Sequence, residues 1–165
     1  RAENIQGSDV CEVCGADLSE LAIPTAGSEL EGHLVNDRLR EILAREAVSV
    51  SPADPVAVVV HRMRETEADC VLVRDKAGRI VGILSERDVL MKAAGANRDL
   101  MALAVKDIMT KDPVMLREGD TIAVALHKMS VGGFRHIPFV AEDGHTMLIS
   151  IQDVFRHVAE YIPHG

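Results

Sequence analysis

The chain contains one ten-residue pattern twice, as DPVAVVVHRM at residues 54–63 and as DTIAVALHKM at residues 120–129. The apolar, basic and histidine positions of the two copies coincide, and the second copy begins 66 residues after the first. A repeat of this kind is typical of a fold that uses one supersecondary unit more than once. We therefore predict the architecture from the repeat and extend it in both directions along the chain.

Each copy of the pattern predicts an amphipathic helix. Apolar residues recur at positions i, i+3, i+4 and i+7, which places them on one face of a helix. The aspartate at the start of each copy predicts a helix cap, and Pro55 suits the first turn of the first helix. The residues expected in the core are Val56, Val59, Val60 and Met63 in one copy and Ile122, Ala125, Leu126 and Met129 in the other.

Two strands and a second helix follow each predicted helix, and a short strand precedes it. The strands are short apolar runs separated by turn residues. They are predicted at residues 48–50, 70–73 and 80–84 of the first copy and at residues 114–116, 136–140 and 146–149 of the second. The second helices begin at Ser85 and Ser150. Because a unit of about 60 residues buries little core alone, we predict an α/β (α+β) fold in which two β-α-β-β-α repeats pack with pseudo-twofold symmetry.

The repeat divides the chain into three parts. Residues 1–35 form an acidic N-terminal extension with seven acidic residues and one arginine, residues 36–95 form the first repeat, and residues 96–165 form the second. The net charge of −8 and the 2% of aromatic residues are unsuited to binding a phosphate backbone or stacking bases. No apolar run approaches the roughly 20 residues of a membrane span, and the first residues lack a secretory signal. We therefore expect a cytoplasmic protein without nucleic-acid or membrane partners.

Four short motifs lie at corresponding places around the repeat. They are GILSERD at residues 82–88, MLISIQD at residues 147–153, IMT at residues 108–110 and RHIP at residues 135–138. With these motifs, residues 36–162 resemble the tandem cystathionine-β-synthase (CBS) domain pair, also called a Bateman module. The resemblance implies a regulatory module whose clefts bind adenosine-containing ligands such as AMP, ADP, ATP, NAD(H) or S-adenosylmethionine.

The Ser-x-x-Asp corner of each repeat has two interpretations. The start of a helix offers unpaired amide donors to a phosphate, and a carboxylate one turn later can accept both hydroxyls of a ribose. The same two side chains also fit a capping box that only satisfies the first amides of the helix. Because the corner is duplicated in a CBS-like setting, we favour the nucleotide site.

The resemblance implies two clefts, each combining the corner of one repeat with the first turn and middle strand of the other. The cleft around Asp88 would contain Ser85, Arg87, Asp88, Met109, Thr110, Phe134, Arg135 and His136. The second cleft would contain Ala44, Ala68, Cys70, Ser150, Gln152 and Asp153.

The two clefts differ in charge. Arg87 offers a planar donor fork for phosphate where the second cleft has the neutral Gln152. Asp69 stands at the position that Arg135 holds in the other repeat, and its charge would repel a polyphosphate. We expect the Asp88 cleft to bind a nucleotide with few phosphates and the second cleft to be weaker or empty.

Cys11 and Cys14 form a Cys-x-x-Cys pair outside the repeat. Two thiolates at this spacing can hold one side of a zinc ion, but a structural site needs four ligands, and the chain adds only His33 nearby and Cys70 in a strand. An inert pair and a redox pair are the other interpretations, although the context is unlike that of thioredoxin. The alternative function is therefore a metal- or redox-responsive assembly protein in which the CBS pair only dimerises.

The sequence contains no constellation typical of an enzyme. A Ser-His-Asp set, a phosphate-binding loop, a Rossmann glycine pattern and a carboxylate metal cluster are all absent from it. We therefore expect a sensor without catalytic activity that regulates a separate target protein.

The second helices of the two repeats are richer in apolar residues than one small sheet can cover. These residues are Val89, Leu90, Met91, Val154, Phe155 and Val158. An exposed apolar surface of this kind favours a homodimer. The alternative is that the N-terminal extension folds back over it with Leu18, Leu21 and Ile23.

Overall fold

The computed structural model describes residues 29–162, which form five helices and eight strands. The strands are β1 (Arg45–Glu46), β2 (Ser49–Val50), β3 (Cys70–Arg74), β4 (Ile80–Ser85), β5 (Thr110–Lys111), β6 (Leu116–Arg117), β7 (His136–Val140) and β8 (Thr146–Ser150). The helices are α1 (Glu29–Asn36), α2 (Val56–Glu65), α3 (Glu86–Val89), α4 (Ile122–Gly132) and α5 (Ile151–Ala159). Single 3₁₀ turns at Leu39–Glu41 and Val105–Asp107 precede β1 and β5, and a π-helical turn at Leu90–Ala94 extends α3.

The two copies have the same order of elements, and the predicted mixed fold of two repeats is confirmed. The order strand, helix, strand, strand, helix runs from β2 to α3 in the first copy and from β6 to α5 in the second. The longer strands β3, β4, β7 and β8 differ from the prediction by at most one residue. The helices α2 and α4 bury the predicted face, with Val56, Val59, Met63, Ile122, Ala125 and Met129 all in the interior.

Each sheet is completed by a strand from the other copy. One sheet has the order β2-β3-β4-β5, and the other has the order β1-β8-β7-β6. Strand β5, which leads into the second copy, pairs antiparallel with β4 of the first copy, and β1 pairs in the same way with β8. Neither crossing strand was predicted, because β1 (Arg45–Glu46) and β5 (Thr110–Lys111) are exposed and contain no apolar run.

The leading segments before the two copies, residues 37–46 and 103–112, also complete the core of the other copy. The buried side chains that cross are Leu39 and Ile42 in the core of the second copy and Leu103, Val105 and Ile108 in the core of the first. Neither copy therefore has a complete core or a complete sheet without the other.

Backbone hydrogen bonds hold the leading segments against the helices that they cover. The amide of Leu39 donates to the carbonyl of Asp120 at 2.9 Å, and the amide of Val105 donates to the carbonyl of Asp54 at 3.0 Å. These equivalent bonds lie just before α4 and α2. The exchange of leading segments between the two copies is thus stabilised by main-chain hydrogen bonds as well as by apolar packing.

The prediction that an aspartate caps each of the helices α2 and α4 is wrong. The side chains of Asp54 and Asp120 accept hydrogen bonds from the amides of Ser51 and Arg117, three residues before them, at 2.9 and 2.8 Å. The next residue in each copy is still extended, so each helix begins one position later, and the hydroxyl of Thr121 caps α4. The aspartates instead close the turn between the short strand and the helix.

Replacing Leu39 by alanine should destabilise the second copy, although the residue belongs to the first repeat. Its side chain is 0% exposed, and truncating a buried leucine costs about 2–5 kcal/mol in the free energy of unfolding. Urea unfolding followed by circular dichroism measures the loss. Leu43→Ala is the matched control, because Leu43 in the same segment is 91% exposed and should change the free energy by about 0.5 kcal/mol or less. Equal losses of unfolding free energy in the two variants would contradict the exchange of leading segments between the copies.

Candidate functional site

A cleft of about 660 Å³ is lined by residues of both copies, and its volume is within the range of small-molecule sites. The first copy contributes the start of β3, the corner between β4 and α3, and the helical turn after it. The second contributes β5 and the segment after it, the turn between α4 and β7, and the corner between β8 and α5. The lining includes Asp69, Cys70, Ser85, Arg87, Asp88, Lys92, Thr110, Asp112, Phe134, Arg135, His136, Ser150 and Gln152.

This cleft contains residues of both predicted sites. From the first set it is lined by Ser85, Arg87, Asp88, Thr110, Phe134, Arg135 and His136, and from the second by Cys70, Ser150 and Gln152. The remaining predicted residues, Met109, Ala44, Ala68 and Asp153, are not on its wall. The two Ser-x-x-Asp corners therefore border one common cleft.

Met109 packs against the core of the first copy and does not face the cleft. Gly82 makes room for it, since a Cβ atom on Gly82 would lie 2.4 Å from Met109 Sδ. In the second copy Met147 stands at the position of Gly82 and packs on the core, while Leu43, the counterpart of Met109, is exposed. The space beside Gly82 is thus filled by Met109 from the leading segment, whereas the second copy places Met147 itself on the core.

Asp88 is held by Ser85 and Lys92. The amide and the hydroxyl of Ser85 donate to Asp88 Oδ2 at 3.0 and 2.9 Å, and Lys92 Nζ lies 2.7 Å from Asp88 Oδ1. Burial opposes the ionisation of Asp88, but the bonds from Lys92 and Ser85 outweigh it and lower the pKa of the carboxyl group below its ordinary value. Lys92 was not among the predicted site residues, although its i, i+4 spacing from Asp88 is a signal for such an ion pair.

The second corner has the same cap. The amide and the hydroxyl of Ser150 donate to Asp153 Oδ2 at 2.8 and 2.9 Å, and Arg156 Nη1 lies 3.2 Å from Asp153 Oδ1. The capping-box interpretation therefore describes both corners. Only Asp88, however, also lines the cleft, so the two aspartates differ in their surroundings and not in their caps.

Two arginines on the cleft have unused donors. The side chains of Arg87 and Arg135 are exposed and line the cleft. Neither guanidinium group makes a hydrogen bond or an ion pair with any residue in the described range 29–162. A planar guanidinium with free donors is well suited to a phosphate or carboxylate.

His136 contacts Asp69, and both residues line the cleft. The His136 Nε2 atom lies 2.9 Å from Asp69 Oδ2. The angle is not that of a hydrogen bond, so this buried nitrogen has no hydrogen-bond partner among the described residues. Beside them, burial and then the charges of Asp69 and Asp88 raise the pKa of the Cys70 thiol, which keeps it protonated at neutral pH.

The ring of Phe134 is placed on the cleft wall by the two glycines before it. Gly133 ends α4 with a φ of 68°, a left-handed conformation that favours glycine. A Cβ atom on Gly132 would lie 2.0 Å from Phe134 Cε1, so the ring uses the space that the missing side chain leaves. The helix end thus supplies an apolar surface to the cleft.

The predicted zinc ligands Cys11 and Cys14 lie outside the described residues. Within residues 29–162, no group of three His, Cys, Asp or Glu side chains is arranged to hold a metal ion. None of the described helices is long and apolar enough to cross a bilayer.

Replacing Lys92 by methionine should raise the pKa of Asp88, because the ammonium group that favours the carboxylate is lost while burial remains. The lowered pKa of Asp88 stabilises the fold above the unfolded pKa of about 4, and this stabilisation is lost as the pH falls through the lower folded value. The variant should therefore lose less stability in acid. Carboxyl ¹³C NMR titration measures the pKa, and Lys128→Met, at an exposed position of α4, should leave it unchanged. The same pKa in Lys92→Met and the parent would refute this role.

Comparison with known proteins shows the same repeat elsewhere. The family model of the CBS domain matches the chain twice, over residues 39–95 and 105–160. A CBS domain-containing protein of Arabidopsis thaliana is 36% identical over 95 residues, which are 58% of this chain and 17% of the relative. An uncharacterized 17.7 kDa protein of Acidianus ambivalens is 32% identical over 120 residues, which are 72% of this chain and 71% of the relative.

A solved structure has the same fold. It is the CBS domain protein from Pyrobaculum aerophilum complexed with AMP, which superposes with a TM-score of 0.64 at 24% identity and covers 74% of this chain and 98% of that chain. Since the family model matches both copies of the repeat, the chain belongs to the CBS domain family as a tandem pair.

Proposed function

We propose that this CBS pair is a regulatory module that binds an adenosine nucleotide in the cleft and has no catalytic activity of its own. The observation that carries the proposal is the pair of guanidinium groups, Arg87 and Arg135, which lie on the same cleft as Asp88 and have no partner among residues 29–162. The AMP complex of the Pyrobaculum protein supports an adenosine-containing ligand. The ligands to be compared are AMP, ADP, ATP and NAD(H), and the regulated target is a separate protein or domain.

Each part of a nucleotide has a matching group on the cleft. Asp88 is a partly buried carboxylate with a lowered pKa, able to accept hydrogen bonds from ribose hydroxyls. Arg87 and Arg135 offer donor forks to phosphate oxygens. The ring of Phe134 offers an apolar face to the base. These roles require both copies, because Phe134 and Arg135 come from the second copy and Asp88 from the first.

The Asp153 corner has less to offer a nucleotide. Gln152 stands where the first corner has Arg87, and Asp153 itself is not on the wall of the cleft. We therefore propose that its cap serves α5 and that the second corner adds little to the affinity.

Asp88→Ala should weaken AMP binding by at least ~1.5 kcal/mol, about tenfold, because the ribose loses charge-assisted hydrogen bonds. Isothermal titration calorimetry with AMP measures the change. Asp153→Ala is the matched control, since it removes a cap of the same geometry and should change the affinity much less. Equal losses in both variants, or none in a folded Asp88→Ala variant, would refute the ranking of the two corners.

We also propose a homodimer through the helices that follow the two corners. Leu90 is 63% and Phe155 is 67% exposed, and surface aromatic and aliphatic residues of this size are favourable in subunit contacts. Val89 and Val154 are buried in the two cores, so these two of the expected contact residues are unavailable to a partner. The N-terminal extension, which is the alternative cover for this apolar surface, lies outside the described residues.

Sedimentation velocity of the full chain should show a dimer, and Leu90→Glu with Phe155→Glu should convert it to a monomer. Neither residue lines the cleft. A monomeric double variant that still binds AMP has therefore lost the dimer and kept its fold. Val131→Glu is the control, because Val131 on α4 is 75% exposed and belongs to another helix. A parent chain that is already monomeric would exclude the homodimer and favour the extension as the cover.

A further inference from the structure

The contact between Asp69 and His136 is the one polar contact in the cleft that leaves a described buried atom unsatisfied. His136 is only 16% exposed, and its Nε2 atom is covered by the Asp69 carboxylate at 2.9 Å without a hydrogen bond. Asp69 itself is 52% exposed. A buried polar atom without a hydrogen bond is costly, so a ligand group that satisfies His136 Nε2 would be favourable.

The main chain of Asp69 is fixed while its side chain is free to leave. The carbonyl of Asp69 accepts a hydrogen bond from the amide of Glu86 at 3.0 Å, which ties the residue to the start of α3. The carboxylate has no hydrogen-bond donor other than the poorly aligned His136 among the described residues. Rotation of this half-exposed side chain therefore uncovers His136 Nε2 without moving the backbone.

Asp69 also carries the wrong charge for an anionic ligand. It lines the same cleft as Arg87 and Arg135, whose guanidinium groups have no partner in the described part of the chain. A carboxylate over His136 balances part of this positive charge when no ligand is bound, and it repels a phosphate that approaches.

We propose that Asp69 is an internal competitor for the anionic group of the ligand. Its carboxylate occupies the position over His136 Nε2 that a phosphate oxygen takes when a nucleotide binds, and it must swing away first. The inference rests on the proposed nucleotide-binding function and adds a determinant of specificity to it. It follows that each further phosphate meets more repulsion from Asp69, so the residue selects ligands with few phosphates.

Binding of adenosine, AMP and ATP to the parent and to Asp69→Asn tests this proposal by isothermal titration calorimetry. The substitution keeps the shape of the side chain and removes its charge. We expect AMP to bind about tenfold more tightly to the variant, ATP to gain more than AMP, and adenosine to change by less than about twofold. His136→Gln should weaken AMP and leave adenosine unchanged.

Asp112→Asn is the matched control. Asp112 is exposed, lines the same cleft and has no ion pair with the described residues, and its φ of 49° is a conformation that asparagine also adopts. It should change the affinities for AMP and ATP far less than Asp69→Asn does. Equal gains in the two variants would show a general charge effect and overturn the competitor role.

Two other outcomes separate this inference from the proposed function. If the parent binds AMP but Asp69→Asn binds AMP and ATP no more tightly, the competitor role is wrong and the nucleotide site stands. If neither the parent nor the variant binds adenosine, AMP or ATP, the proposed function is wrong, and the inference is wrong with it.

Discussion

The exchange of the leading segments between the two copies is the constraint on which the rest of the structure depends. Leu39 and Ile42 fill the core of the second copy, and Val105 and Ile108 fill that of the first. Separating the copies would expose all four side chains and leave two sheet edges unpaired, which is costly in water. The joint between the copies is therefore part of the core, and the cleft that spans it is already formed before any ligand arrives. Preformed sites lose less free energy to ordering when they bind.

The same exchange decides which side chains meet on the cleft. Strand β5 places Thr110 opposite Ile83 of β4, close to the Asp88 corner. Its continuation brings Asp112 to the wall, and the glycine-rich end of α4 brings Phe134. The first copy supplies the carboxylate and Lys92. Neither copy alone could enclose a ligand, because each holds only part of the wall.

The sequence predicted the elements that carry an apolar signal and missed those that do not. The helices α2 and α4 were found from their apolar period, and the four longer strands were found as short apolar runs between turn residues. The crossing strands β1 and β5 have two residues each, and their pairing partners are far away in sequence. The aspartates before the helices were misread because a turn and a cap use the same residue type. Nor could the sequence reveal that both corners border one cleft, which depends on how the copies pack.

A comparison of the two copies separates what the fold requires from what the cleft uses. Both copies keep the serine and aspartate of the cap, with hydrogen bonds of nearly equal length. Arg87 and Gln152 differ, as do Asp69 and Arg135, and all four line the cleft. A requirement of the fold acts on both copies alike, so it cannot explain charges that only one copy has. These differences are concentrated on the cleft beside Asp88, where the proposed ligand would meet them, and not at the caps that both copies share.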